Sequence, residues 1–477
     1  MRIFKHRFIH SAVRDGNVRF GQNFLYFRRK RKDTFHFIVQ DKHLPATGKL
    51  AYTSVADQRF RFLNDVGLHR QAFARRRLYR RNIPNPRQRH MQSTRYGRRR
   101  HGQTVDIFSD MFDLYLINRN ILKDWTFVVA TTETDNMNLY KDMENISGIR
   151  DKMFTPFANG RVSIINDKIL KRCIIKNDSR ARILRCVSFD TQTVSYIERY
   201  YKNGTVPYEG FESVIRLLEG GGIGVDHIPY TLENLLFDLR RKDSVEQTLF
   251  AYEMMIGENA GNEKVCKKQA RDIVSMYEKV DFEFPFGVKE QYKMIYLSLL
   301  KMSQIQLEHK KLSHLNNLKL FVEFMTDKLY RIMQPELNLA KLYFVKGSCC
   351  GFFGKIHTDN KSILQQLRNM TWDLMHLRFM NFSGMLFNAK KGDALIPYFF
   401  TYDKRLQDIR ECYNLQALAV NPYSYSVMPV YAMDDGLFDI LKKHCNIGKY
   451  IERMEKVPNT DALILECEEE LLKLIQQ

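Results

Sequence analysis

The stretch Tyr398-Phe-Phe-Thr-Tyr-Asp-Lys-Arg-Leu406 constrains this chain more than any other. Aromatic residues with Thr favour a half-buried strand, and the basic Lys404-Arg405-Leu406 that follows is compatible with a helix. A strand that passes straight into a helix puts the junction carboxylate, Asp403, at the mouth of a sheet. Open α/β sheets bind their ligands there, outside the carboxyl ends of the strands. A second junction has the same form. Arg182-Ile-Leu-Arg-Cys-Val-Ser-Phe189 reads as a buried strand and runs through Asp190 into Thr-Gln-Thr-Val-Ser-Tyr-Ile197. Apolar Val194, Ile197 and Tyr201 then recur at helical spacing. The fold class expected is therefore α/β.

Charge divides the chain in two. The formal net charge is +21, and the first hundred residues carry 26 Lys and Arg against five Asp and no Glu. The remaining residues hold 49 basic and 49 acidic side chains, so all of the excess lies in the N-terminal arm. That arm, 1–110, is rich in Arg and His and weak in hydrophobic periodicity, which predicts low order. It reads in three ways: a basic arm gripping nucleic-acid phosphates, a solvated tail, or a segment not genuinely translated, with Met111 as a candidate start. The body itself has no charge excess to serve as an RNA-binding face.

Eight cysteines lie scattered with no C-x-x-C pair. This excludes a zinc-finger pattern and suggests reduced thiols in a cytoplasmic protein. The adjacent Cys349-Cys350 reads as packing rather than as a vicinal bond. No uninterrupted apolar run approaches the roughly 18 residues of a membrane span. The basic N-terminus lacks the apolar segment and small-residue cleavage site of a secretory signal.

In chain order, 111–180 reads as a small α+β leader module. It has a strand over 125–131, a helix over 137–143 behind the N-cap candidates Thr134 to Asn136, and strand-like runs at 161–165 and 169–175. An amphipathic helix over 208–218 is broken by Gly220-Gly-Gly-Ile-Gly224. A short strand at 223–228 precedes a helix from Tyr230, with Glu233 in its first turn. Residues 241–345 read as a helical insertion whose stripes, such as Phe321, Phe324, Met325 and Leu329, suit a bundle core. The α/β domain then spans 181–240 and 346–425. It includes a helix over 362–380 that carries Asp373, a helix over 406–413 and a last strand at 417–420. Residues 426–477 form C-terminal helices.

Four carboxylates thus fall at sheet ends or in helices: Asp190, Glu233, Asp373 and Asp403. Converging carboxylates repel unless a cation neutralises them, and oxygen donors without Cys or His spacing indicate Mg2+ or Mn2+. Such a site holds a phosphodiester and activates water for in-line attack. Each residue also has a plainer reading. Asp190 and Asp403 are good N-caps, Glu233 suits a helix macrodipole, Asp373 can pair with His376 or Arg378, and His376 can be a packing residue. The glycine run lacks the Lys-Ser/Thr of a phosphate loop, and no G-x-S-x-G elbow is present.

These motifs together resemble the PIN-domain nucleases, metal-dependent RNases of single strands found among bacterial toxins. Phe189-Asp-Thr-Gln-Thr-Val-Ser-Tyr-Ile197 is similar to that family's strand-ending first motif, with Gln192 in place of the usual Asn. Phe399-Phe-Thr-Tyr-Asp403 resembles its final T-x-D. The resemblance implies a PIN-like parallel-sheet domain and an endoribonuclease that hydrolyses RNA. Its metal would be held by Asp190, Asp373 and Asp403 with Glu233 assisting, and Thr401 would orient the cluster. Asp226 competes with Glu233 for the second acid, and Asp393 with Asp373 for the third. A toxin- or mobile-element-like setting and an antitoxin-like protein partner would follow. Two alternatives are a catalytically degenerate PIN-like binding module and a mobile-element protein acting through its helical block.

Overall fold

A computed structural model of the chain describes residues 34–36, 59–61, 115, 122–130, 137–139, 149–157, 160–176, 181–206, 208, 210–219, 222–279, 287–310, 312–383, 392–421, 423, 426–445 and 456–476. Apart from 34–36 and 59–61, the arm lies outside these residues, as do Met111 and the second half of the 137–143 helix. Beyond the short antiparallel ladder of Thr34–His36 with Arg59–Arg61, the strands are β1 (Thr126–Ala130), β2 (Met137–Asn138), β3 (Met153–Phe154), β4 (Arg161–Ile165), β5 (Ile183–Phe189), β6 (Gly224–Asp226), β7 (Ala394–Phe400), β8 (Leu415–Asn421) and β9 (Ser426–Tyr431). The main helices are α1 (Asp167–Lys176), α2 (Thr191–Asn203), α3 (Phe211–Glu219), α4 (Ile228–Leu235), α5 (Lys242–Ile256), α6 (Glu263–Lys279), α7 (Val288–Glu308), α8 (His314–Asp327), α9 (Gln334–Lys346), α10 (Ile363–Ser383), α11 (Lys404–Ile409), α12 (Asp435–His444) and α13 (Thr460–Gln476). The fold is mixed α/β and mostly helical.

Two larger sheets share the work. One is antiparallel, in the order β9-β8-β1-β4-β2, and joins strands from both ends of the body. The other runs β3-β7-β5-β6, with β7, β5 and β6 mutually parallel and β3 antiparallel at the edge. In this second sheet β5 and β7 are in register from Ile183 opposite Ala394 to Phe189 opposite Phe400. Tyr398, Phe399 and Phe400 are all fully buried, so β7 is covered on both faces and reads as an unbroken apolar run. Pro397 is tolerated because β3 pairs only with Phe399 and Phe400, which leaves that side of β7 an edge at the proline. Helix α2 returns along β5 and packs on α5, while α10 runs against β7 and α7.

Three local expectations change. Residues 169–175 belong to helix α1 and not to a strand. Asn166 Oδ1 accepts from the Ile169 N–H at 2.9 Å and starts the helix, whose inner side buries Ile169, Leu170 and Cys173. Met137–Asn138 begins as a strand, because Met137 finds Val162 as a ladder partner. The strand near 417–420 is not the last one: β9 folds back on it as a hairpin. Among the described residues, no helix is long and apolar enough to cross a membrane.

Candidate active-site cleft

The register of β5 and β7 makes Asp190 and Thr401 neighbours, each the first residue past the end of its strand. Asp190 caps α2, its Oδ1 accepting from the Thr193 N–H at 2.6 Å. Its other oxygen, Oδ2, accepts from the Thr401 hydroxyl. Capping therefore occupies one oxygen and a cross-strand hydrogen bond the second. Thr401 Oγ1 also accepts from the Asp403 N–H at 2.9 Å, so one buried hydroxyl ties both strand ends together.

Glu233 reaches the same place from α4. That helix begins at Ile228 with Pro229 in its first turn, which moves Glu233 into the second turn and weakens the macrodipole reading. Its carboxylate accepts from the hydroxyl of Thr191, the residue after Asp190. His376 Nε2 lies 3.2 Å from Glu233 Oε2, an ion-pair distance without the alignment of a hydrogen bond, and His376 Nδ1 has no partner among the described residues. Asp373 stands one turn before His376 on α10, on the same helix face. It makes no hydrogen bond or ion pair among the described residues. Asp403 caps the short helix α11 through the Arg405 N–H at 2.8 Å and pairs with the Arg405 guanidinium, whose Nε lies 3.0 Å from Oδ1.

The electrostatics separate the four acids. Burial raises Asp190, and the hydrogen bonds from Thr193 and Thr401 offset only part of that. Burial also acts upward on Glu233, but the neighbouring His376 and the Thr191 hydroxyl outweigh it and the net direction is down. Asp403 is likewise lowered, Arg405 overcoming burial. Asp373 is pushed up to about 8: burial comes first, His376 opposes it, and the charges of Glu233 and Asp403 add to it. Burial lowers His376, yet Glu233, Asp373 and Asp190 together raise it and favour the imidazolium.

The two competing acids each have hydrogen-bond partners of their own. Asp393 precedes β7 at the other end of the sheet, about 26 Å from Thr401 at the usual rise per residue. It pairs with Arg172 Nη1 at 2.8 Å and accepts from the Arg182 N–H at 2.7 Å. Asp226 ends β6 and is bound by the Ser188 hydroxyl at 3.0 Å and the Ile228 N–H at 2.9 Å.

A hard divalent cation suits the donor chemistry, which is all carboxylate oxygen. The arrangement is less complete. Among the described residues, no three His, Cys, Asp or Glu side chains converge as a ligand set, because Asp403 faces Arg405 and Glu233 faces Thr191 and His376. Thr191 and Arg405 were invisible as participants in the sequence, since a Thr after a capping Asp and an Arg in a helix start are ordinary. His376 carried a signal, its i+3 spacing from Asp373, but that spacing is equally common in packing. No protein-family model, characterised protein or solved structure matches this chain.

Proposed function

We propose that the cluster of Asp190, Glu233, Asp373 and Asp403 hydrolyses phosphodiester bonds of RNA with Mg2+ or Mn2+, on a PIN-like sheet. One observation carries the reading: the Thr401 hydroxyl joins Asp190 to the backbone of Asp403 across the carboxyl ends of two parallel strands. A purely structural cap needs no such bridge. The unpartnered Asp373 and the His376–Glu233 pair supply further support from α10 and α4. Thr401 fixes the orientation of Asp190, and Thr191 fixes that of Glu233. Asp373, pushed up to about 8 by burial, holds a proton at neutral pH that it can give to a leaving oxygen. A bound divalent ion would offset the carboxylate charge and that of the scissile phosphate.

The test is cleavage of a labelled single-stranded RNA with Mn2+ and with EDTA. Asp190→Asn is expected to abolish metal-dependent cleavage, and Thr401→Val to lower it about 10–100-fold, as loss of a supporting hydrogen bond does. Full activity in both variants would remove the proposal.

The second reading, a polynucleotide-binding module without catalysis, is favoured by the Asp403–Arg405 pair, which leaves that carboxylate engaged. Metal-independent binding with no cleavage in the wild-type protein would select it.

A further inference from the structure

Phe237 is 52% exposed, two residues past the end of α4. It is nonetheless held in place. Its ring centroid lies 5.0 Å from Tyr292 and 6.0 Å from Trp372, and those two rings are 4.8 Å apart. Tyr292 is steadied in turn by its hydroxyl, which donates to the Arg368 carbonyl at 3.4 Å, and by stacking on Tyr296. Elements distant in sequence, the α4 exit, α7 and α10, therefore build a fixed aromatic triad with one ring open to solvent.

The triad lies beside the acidic cluster: the charge of Glu233 acts on the Tyr292 hydroxyl, and Phe237 follows Glu233 by four residues. Cations flank it: Arg240 and Arg241 follow Phe237 in a 3-10 turn, and Arg368 lies one turn before Trp372 on α10. Arg240 keeps 90% of its side chain exposed beside Asp238, and Arg368 keeps 46% beside Glu468.

We infer that the Phe237–Tyr292–Trp372 triad is the stacking site for one unpaired nucleobase next to the bond cut in the acidic cleft. Flat rings beside arginines match a nucleobase and its phosphates, and stacking of this kind tolerates any base because each has a π-face. The open apolar surface is essentially Phe237 with Leu239, 41% exposed. That is far below the roughly 800 Å² per partner of a stable protein interface. The inference rests on the proposed hydrolase for the neighbouring phosphate, but its binding step is measurable with cleavage switched off.

The experiment uses the full chain in EDTA, a fluorescent single-stranded RNA 12-mer and the same 12-mer with abasic central positions, read by anisotropy. The wild-type protein should prefer the base-bearing strand, and its Trp372 emission should fall on binding. Phe237→Ala should weaken binding of that strand about tenfold. Phe237→Trp should retain it. Because Phe237 is half exposed, both variants should melt as the wild type does. Equal affinity of wild type and Phe237→Ala, or of base-bearing and abasic strands, overturns the inference. So does loss of a self-associated species in Phe237→Ala with RNA affinity unchanged, which would assign the face to protein contact. Base-dependent binding without metal-dependent cleavage keeps the triad and removes the hydrolase; cleavage with no effect of Phe237→Ala does the reverse.

Discussion

Asp373 is the residue on which the cleft's electrostatics turn. Its three companions each have a local stabiliser: Thr401 for Asp190, Thr191 and His376 for Glu233, Arg405 for Asp403. Asp373 accepts no hydrogen bond among the described residues, and the charges of His376 and Arg405 offset only part of what burial, Glu233 and Asp403 do to it. In the folded protein its carboxyl is displaced from near 3.8 to about 8, mainly by burial. A group raised in this way favours the folded state fully below the unfolded value and loses that contribution as pH rises through the folded one. Asp373→Asn, a neutral side chain of the same shape, should therefore melt close to the wild type near pH 4 and several degrees above it at pH 8. At about 1.4 kcal/mol per pH unit the difference is a few kcal/mol. Melting curves across that range check the sign. Mn2+ should raise the wild-type midpoint at pH 8 more than that of the variant, since a ligand bound only by the folded state adds stability.

At the scale of elements, the two ends of β7 do different jobs. The carboxyl end delivers Thr401 and Asp403 to the cleft, and the amino end is clamped by Asp393 to Arg172 of α1. That clamp is nearly buried, with side-chain exposures of 17% for Arg172 and 3% for Asp393. Removing one partner of a buried pair costs about 3–5 kcal/mol, because the other charge is stranded. Asp393→Ala should lower stability by that order near pH 7 and leave the cleavage rate of the folded fraction unchanged. Burial opposes ionisation of Asp393, but Arg172 and the Arg182 N–H hold its carboxyl below 3.8. Its contribution is therefore present above the unfolded value and is lost as pH falls through the lower folded one. Urea titrations at pH 7 and pH 3 should show the penalty shrinking in acid.

For the molecule as a whole, the cleft depends on how the helical block meets the sheets. Helix α10 carries Asp373 and His376 toward the other acids and Arg378 toward α9. There Arg378 pairs with Glu336 of α9, which is fully buried and also accepts from the Tyr413 hydroxyl at 3.0 Å. The pair joins α10, α9 and the segment that leads into β8. Glu336→Ala should cost about 3–5 kcal/mol by stranding a buried guanidinium. Unlike Asp393→Ala, it should also lower the folded protein's cleavage rate, because α10 is the element it loosens. Calorimetry paired with activity per folded molecule separates the two effects.

The sequence by itself determined the two junctions. Apolar runs ending at Phe189 and Phe400 had to be buried strands, and Asp190 and Thr401-x-Asp403 had to stand at their ends. It also determined most long helices, whose stripes recur at helical spacing over many turns. Tertiary structure decided the rest, because the deciding contacts are between residues far apart in the chain. Met137 became strand only because Val162 was there to pair with it. Asp393 left the candidate set because Arg172, 221 positions earlier, claimed it at the far end of β7. Whether Glu233, Asp373 and His376 meet Asp190 depends on where α4 and α10 pack against the sheet. Periodicity shows which face of a helix is buried; only the fold shows what that face is buried against.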